Sequence, residues 1–399
     1  MSKLNDLIKE LCPDGVEYKP LDSFATIVRG NGLQKKDFTE DGVGCIHYGQ
    51  IYTYYGTYAY ETKSKVSVEL AETLKKVETG DLVVAVTSEN IEDVCKCVAW
   101  LGEETIVTGG HAAIIKHKQN SKYLAYYFQT EDFYKQKVKI VTGTKVMDIA
   151  PSKMGKIIIP IPPLPVQCEI VRILDNFTAL TSALTSALTA ELTAQRKRYS
   201  GLLNSLLSFE GRDAQDGVLW KKLGDIAVNL DSRRIAVTKH NRKAGIYPYY
   251  GASGIVDYVD DYIFDGDFLL VSEDGANLVA RSTPIAFSIT GKNWVNNHAH
   301  VLKFDNIYLQ KYVEIYLNLL DLSPYISKGA QPKLSQTSLK KIILPIPDDS
   351  RIRYVVDILD RFDKLCNDLS EGLPAEIAAR QKQYEYYRDK LLTFKEKES

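Results

Sequence analysis

The sequence has 399 residues, of which 45% are hydrophobic and 25% charged, and its formal net charge is −1. These values fit a globular protein of two or three domains with ample length for a core, and they exclude a global basic field of the kind that announces a nucleic-acid partner. A footprint for such a partner would have to be local.

No run approaches the length of a membrane span, and the opening stretch MSKLNDLIKELCPDG lacks a signal peptide's apolar core. The expectation is a cytoplasmic protein with no membrane partner. The six cysteines, at 12, 45, 95, 97, 168 and 366, include no CxxC pair and read as buried thiols. They do not assemble into a structural zinc site, so no metal is expected. Many of the 25 tyrosines fall in the polar-aromatic runs IHYGQIYTYYGTYAY (46–60) and IYPYYGASGIVDYVDDY (246–262). Tyrosine suits a wet interface because it offers flat area with a polar tip.

In chain order, β runs at 81–87, 97–101 and 112–116 precede a helix near 121–137. The Pro-rich IPIPPLP (159–165) then stops the preceding strand. Apolar residues at Ile170, Ile173, Phe177, Leu180, Leu184, Leu188 and Leu192 predict a helix over 166–209. At 1.5 Å per residue it would be roughly 66 Å long, a rod rather than a core helix. It carries TALTSALTSALTAELTAQ (178–195), a near-perfect four-residue repeat that one replication slip would lengthen or shorten. The second half repeats the order, with β runs at 267–271, 284–290 and 299–304, a helix near 308–320, and a helical block over 351–394. Pro374 should kink that block by clashing with the Ser370 carbonyl. The pattern is α+β, and the two helices, each apolar on one stripe, should pair as a coiled coil.

The chain is written twice. KIIIPIPPLPVQCEIVRILDNFTAL from Lys156 matches KIILPIPDDSRIRYVVDILDRFDKL from Lys341, an offset of 185 that holds through AELTAQRKRYSGLLNSLLSF (190–209) against AEIAARQKQYEYYRDKLLTF (375–394). Of the 54 aligned positions, 22 are identical. Upstream, DGVEYKPLDSFA (14–25) matches DGVLWKKLGDIA (216–227) at offset 202, and GDLVVAV (80–86) matches GDFLLVS (266–272) at offset 186. Gly143, Thr144 and Lys145 line up with Gly329, Ala330 and Gln331. The helical parts stayed close and the globular parts diverged, as expected of a shared scaffold with different surfaces.

Catalytic motifs are absent. SITGKNW has the GK of a phosphate loop but not the rest, and there is no GxSxG, HExxH, glycine-rich cofactor loop or Asn-Pro-Pro-aromatic signature. His298 and His300, two apart in a strand, read as rings on one face for packing or polar contact. The chain looks like a reader, with no catalytic residues and no cofactor of its own.

Two variable α+β domains, each followed by a near-identical long helix, resemble the specificity subunit of type I restriction–modification enzymes. The resemblance covers essentially the whole chain and rests on the repeated KII-PIP blocks, the TSAL segment and YYGASGIVDYVDDYIFDGDFLLVSEDGAN. It implies two tandem target recognition domains (1–155 and 213–340), each followed by a spacer helix region (156–212 and 341–399), with the helices paired as an antiparallel coiled coil about a pseudo-two-fold. Its implied partners are double-stranded DNA and two methyltransferase (M) subunits, with restriction (R) subunits as optional additions. S-adenosylmethionine would belong to the methyltransferase subunits, and ATP and Mg to the restriction subunits.

Base edges carry sequence information, while phosphate contacts position the protein. In the first half, Arg29, Lys35, Lys36, Lys145 and Lys153 are candidate phosphate contacts, with Tyr48, Gln50 and Thr144 as base readers. In the second, the candidates are Arg233, Arg234, Lys333 and Lys340, with Tyr250, Ser253, Asn297 and Gln331. The spacer interface is assigned to Ile173, Phe177, Leu180, Leu184, Leu188, Leu192, Ile358, Phe362, Leu365 and Leu369. Two rival readings, a DNA-binding regulator and a tandem-domain protein-binding adaptor, both lack methylation partners.

Overall fold

A computed structural model describes residues 3–209, 217–327, 331–368 and 371–398. The two PIP segments form the same element: Ile158–Pro160 pairs antiparallel with Tyr18–Pro20, and Ile343–Ile346 with Leu219–Lys222. Proline has no N–H for a ladder, and a two-stranded ribbon tolerates that omission. After the first ribbon comes one uninterrupted helix, Leu164–Leu207, two residues ahead of the expected span at both ends.

The second helical block, expected as one helix kinked at Pro374, is instead two helices, Asp349–Asn367 and Leu373–Leu391. Asp348 caps the first by accepting from Arg351 N at 3.0 Å. Pro374 lies in the first turn of the second, where an N–H would have no intrahelical partner, so the ring breaks no bond. Between them Gly372 turns so tightly that a Cβ would meet the Lys364 carbonyl oxygen at 2.6 Å.

The chain divides into two units, Met1–Leu188 with Glu376–Ser399, and Thr189–Ala375. In the first, the central sheet has the order Ala25–Arg29, Ala112–His117, Leu82–Ala85, Cys97–Trp100, Tyr58–Ala59, parallel only at its last pairing. Leu82 and Val84 face a core with Tyr123, Tyr126, Phe133 and Leu174, while Val83 and Ala85 face Ile46, Val77 and Ile106 of a second five-stranded sheet. Burial on both faces explains why LVVA is a continuous apolar run. The helix expected over 121–137 is two, Ser121–Tyr127 and Glu131–Lys137, because Thr130 caps the second by accepting from Phe133 N at 3.2 Å.

The second unit repeats these layers. Its central sheet runs Val228–Asn229, Ala299–Lys303, Phe268–Ser272, Ala286–Ile289, and its outer sheet Gly254–Val259, Ala244–Gly251, Lys292–Val295, Phe264–Asp265. Leu269 and Val271 pack with Tyr312 of the helix Ile307–Leu319, while Phe268 and Leu270 pack with Phe264 and Val295. Val84 therefore corresponds to Val271. Ala113, across from Val84, corresponds to His300, across from Val271. The strands match at offset 187 rather than 186, a difference that matters because a one-residue slip turns every side chain to the other face.

Both units fasten their globular helix to the repeated segments in the same way. Lys122 Nζ lies 2.9 Å from Asp175 Oδ2, and Lys311 pairs with Asp360. The buried Tyr123 and Tyr312 hydroxyls donate to the Pro160 and Pro345 carbonyls at 2.9 and 2.8 Å.

Helix pairing is antiparallel within each unit. In the first, the Phe177 and Tyr387 rings are 5.9 Å apart and Thr178 Oγ1 is 2.9 Å from the Tyr384 hydroxyl. In the second, Tyr199 stacks on Phe362 at 6.4 Å, and Arg196 donates to the Cys366 carbonyl at 3.4 Å. Ile173, Leu188, Leu192, Ile358 and Phe362 are half-buried, but Leu180 is 68% exposed and Phe177, Leu184 and Leu365 are each 38% exposed. Three of these are corrected: Leu180, Leu184 and Leu365 turn outward, whereas Phe177, at the rim, keeps its contact with Tyr387. The shielded positions in the repeat are Thr178, Thr181, Thr185, Leu188 and Leu192, alternating by three and four. Leucines at a strict spacing of four drift about 40° per step around a helix, so Leu180 to Leu192 sweeps roughly 120° and cannot hold one face. Leu369 lies outside the described residues. Among the described residues, no helix is long and apolar enough to cross a membrane. Five cysteines are buried and Cys168 is exposed, against the expectation of six buried thiols.

Candidate nucleic-acid interface

In the first unit a cleft of about 800 Å³ opens among Lys35, Tyr48, Gln50, Lys63, Thr87, His111 and Val146. Its wall starts at His47, which caps the helix Tyr48–Thr53: Nδ1 accepts from Gly49 N at 3.2 Å, and His47 N donates to Gln50 Oε1 at 3.2 Å. An accepting Nδ1 requires the lone pair. Burial, followed by the charges of Lys35 and His111, holds His47 below the usual histidine range. Tyr48 is half-buried between the His47 and His111 rings, 4.6 and 4.8 Å away. Gln50 is largely committed, because its amide also donates to Ser64 Oγ at 2.6 Å. Tyr52, its hydroxyl driven up by burial, donates to the Thr87 carbonyl.

Arg29 is a brace and not a free phosphate contact: it donates to the Gly110 carbonyl at 3.0 Å and pairs with Asp148 at 2.7 Å. Asp148 closes a hairpin with Thr142. Gly143 permits this loop at φ +107, where a Cβ would meet the Val146 carbonyl oxygen at 2.0 Å. The loop presents Thr144 and Lys145, both exposed, as are Lys35, Lys36 and Lys153.

In the second unit Arg234 is corrected too. It is 12% exposed and spends its guanidinium on Glu273 at 2.6 Å, the Ala299 carbonyl at 2.7 Å and Asp231 at 3.4 Å. Asp231, Glu273 and His300 have ligand-type atoms within 4.8 Å of one another, and Lys333 joins them at 3.0 Å from Glu273. The buried His300 ring faces Asp231 Oδ2 at 2.6 Å and the Leu334 carbonyl at 2.7 Å, both acceptors, an arrangement that a ring carrying two N–H groups satisfies. For Asp231, burial works to raise the pKa, but the His300 hydrogen bond and charge leave it below its ordinary value. Glu273 follows the same logic, with Arg234 and Lys333 overcoming burial.

Arg233 is exposed, its guanidinium 4.8 Å above the Phe264 ring. Ser253, Asn297, Gln331 and Lys340 are exposed and Tyr250 is half-buried. His298 and His300 do not share a face. His298 precedes the strand in a turn where its N–H donates to Asn296 Oδ1 at 2.8 Å, and its side chain is 51% exposed while that of His300 is fully buried. Sequence reasoning missed His47, Lys63 and His111. A His-Ala pair standing in both halves, at 111–112 and 298–299, was the signal for His111.

A helix–sheet–sheet domain built twice, each copy attached to paired helices, defines a duplicated α+β protein. The chain belongs to the type I restriction–modification specificity family: the model of the Type I restriction modification DNA specificity domain matches residues 13–194 and 217–379. It is 36% identical over 183 residues to a putative type I restriction enzyme specificity subunit of Haemophilus influenzae, covering 45% of this chain and 47% of that one. Over 269 residues it is 33% identical to the EcoR124I/EcoR124II specificity subunit of Escherichia coli, covering 61% and 64%. Over 297 residues it is 32% identical to the EcoprrI specificity subunit of Escherichia coli, covering 68% and 71%. The chain thus spans about half the length of the first of these relatives and under two thirds of the second. Two solved structures share the fold at 15% identity. One is a chain from a study of complex assembly and conformational transition of the type I R-M system, with a TM-score of 0.65 and 96% and 98% coverage. The other is the HsdS subunit of Thermoanaerobacter tengcongensis, with a TM-score of 0.56 and 96% and 97% coverage.

Proposed function

We propose that this chain is the DNA sequence-specificity subunit of a type I restriction–modification complex acting in the cytoplasm. Each unit reads one half of a bipartite, asymmetric DNA site, and the paired helices dock two methyltransferase subunits. The chain makes and breaks no bonds. S-adenosylmethionine binding and adenine-N6 methylation belong to the methyltransferase subunits, and ATP- and Mg-dependent cleavage to any restriction subunits that join. The observation that carries this reading is the family match over both halves. It is supported by two copies of one scaffold whose loop surfaces differ, as a non-palindromic target requires. Lys35, Lys36, Lys145 and Lys153, with Arg233 and Lys340, are the proposed phosphate contacts. Tyr48, Thr144, Tyr250, Ser253, Asn297 and Gln331 are proposed near the bases.

The test is a single-molecule methylome of cells expressing the chain with its methyltransferase partner. A split motif with modified adenines in both halves and a fixed gap is expected. Unmodified DNA despite a stable co-purified complex would return the chain to the regulator or adaptor readings. One added TSAL unit lengthens a helix by about 6 Å and turns its far end by about 40°, against about 3.4 Å and roughly 35° per DNA base pair. A repeat variant should therefore alter the gap and leave both half-sites intact. An altered half-site or an unchanged gap would sink the ruler.

A further inference from the structure

His111 and His298 occupy equivalent places in the two units. Each directly precedes the alanine that opens the strand Ala112–His117 or Ala299–Lys303. Each carbonyl accepts from the neighbouring strand's end, from Val86 N and Glu273 N respectively, both at 2.9 Å. The next residue on that neighbour holds the ring. Thr87 Oγ1 is 2.8 Å from His111 Nδ1, and the Asp274 carboxylate oxygens are 2.9 and 3.0 Å from His298 Nδ1. Both histidines are exposed, and among the described residues neither Nε2 has a hydrogen-bond partner. An exposed imidazole gripped by one nitrogen and open at the other presents a single hydrogen-bonding atom in a fixed direction. Candidate DNA contacts adjoin both: Tyr48 against His111, and Asn297 next to His298 in the chain.

The partner of the ring is what differs. An ionised carboxylate only accepts, so Asp274 keeps a proton on Nδ1 of His298, and Nε2 of the neutral ring offers a lone pair. A hydroxyl can donate or accept, so Thr87 lets the His111 proton sit on either nitrogen. We propose that His111 and His298 are specificity-determining residues, His298 of fixed polarity and His111 of adjustable polarity. His298 accepts from the exocyclic amino group of an adenine or cytosine in one half-site, and His111 meets a donor or an acceptor on a base edge in the other. This rests on the DNA-reading function proposed above. Asp274 is a positioning residue that sets which atom of the His298 ring carries the proton, and Thr87 is one that holds the direction of the His111 ring.

The test uses the complex of the full chain with its methyltransferase partner, and duplexes carrying the motif from the methylome. Single bases are replaced by analogues lacking the exocyclic amino group or N7. The wild-type complex should lose roughly 10- to 100-fold in affinity at one amino-bearing position of one half-site. His298→Ala should lose a similar factor on the intact site and become insensitive to the analogue there, with the other half-site unchanged. His111→Ala should do the same at one position of the other half-site, whether the base there presents a donor or an acceptor. Asp274→Asn, whose amide can donate to Nδ1, should shift preference at the His298 position from amino to keto bases while leaving the melting temperature near wild type. Equal losses on motif and unrelated duplexes, with a salt slope smaller by about one, would mark phosphate contacts and overturn the proposal. Unchanged discrimination in both histidine variants would overturn it as well. If the wild-type complex prefers no sequence, the function itself fails, an outcome distinct from either.

Discussion

At one equivalent position the two units are locked differently. Arg29, across from Ala113, forms a pair with Asp148 in which the side chains are 38% and 37% exposed. Asp231, at the matching end of the second unit's edge strand, is 7% exposed and sits in a network with the fully buried His300 and with Arg234 and Glu273, each 12% exposed. The strands beneath are the same in both units because apolar alternation specifies them. The polar closure above is free to differ, since any arrangement that satisfies its own donors and acceptors will serve. A shared scaffold with independently locked loop ends is what permits two halves to read different sequences.

The largest expected effects test whether the scaffolds really are equivalent. Tyr123→Ala and Tyr312→Ala should each cost about 3–5 kcal/mol, seen as faster hydrogen exchange confined to the mutated unit. A large cost in one unit and none in the other would break the equivalence of the two anchors.

The locks themselves should separate more sharply. Asp231→Ala leaves His300 and Arg234 facing a lost carboxylate and should destabilise the second unit by about 3–5 kcal/mol. Arg29→Ala removes a half-exposed pair and should cost the first unit no more than about 1 kcal/mol. Equal losses in chemical denaturation followed unit by unit would show that the two locks are equivalent.

Acid should reach the first unit earlier. Burial pushes His117 down to about 4 from an ordinary 6.5. Between those values the unfolded chain binds more protons, so stability falls as pH drops from about 6.5 towards 4, by at most about 3 kcal/mol. In the second unit Asp231 and Glu273 are depressed carboxylates, whose contribution is fully present above the unfolded carboxylate range and is lost only below it. Exchange rates followed from pH 7 downward should rise first in the first unit, and His117→Asn should remove most of that early rise. Simultaneous onset would contradict the ordering.

The smallest effect concerns the helix. Leu180→Ala should change stability by less than about 0.5 kcal/mol in the free chain, while Leu188→Ala, on the shielded side, should cost measurably more in the same melt. Reversed costs would place Leu180, and not Leu188, on the paired face.

Much of this was legible beforehand. The duplication, the α+β class, the PIP boundaries and the long helix follow from repeats and periodicity, which depend on residues near each other in the chain. The site was less so. Lys35, Lys36, Thr144 and Lys145 are exposed as read, but Arg29 and Arg234 are braces, because their partners Asp148 and Glu273 are 119 and 39 residues away in sequence. His111 was passed over since nothing local distinguishes a histidine before a strand.

By itself the sequence determined that one scaffold occurs twice, where each copy turns into helix, and that no familiar catalytic motif is present. These are properties of local pattern and of self-similarity. Only the tertiary structure decided that residues 376–399 belong with the first 188 residues and that Thr178, Thr181 and Thr185, rather than Leu180 and Leu184, join Leu188 and Leu192 on the seam. It alone aligned the central strands at offset 187, and so brought His111 to Thr87 and His298 to Asp274. The reason is geometric. A helix precesses 40° for every four residues and a strand reverses its faces with every one, so the packing of distant segments, and not the pattern alone, selects which side chain meets which.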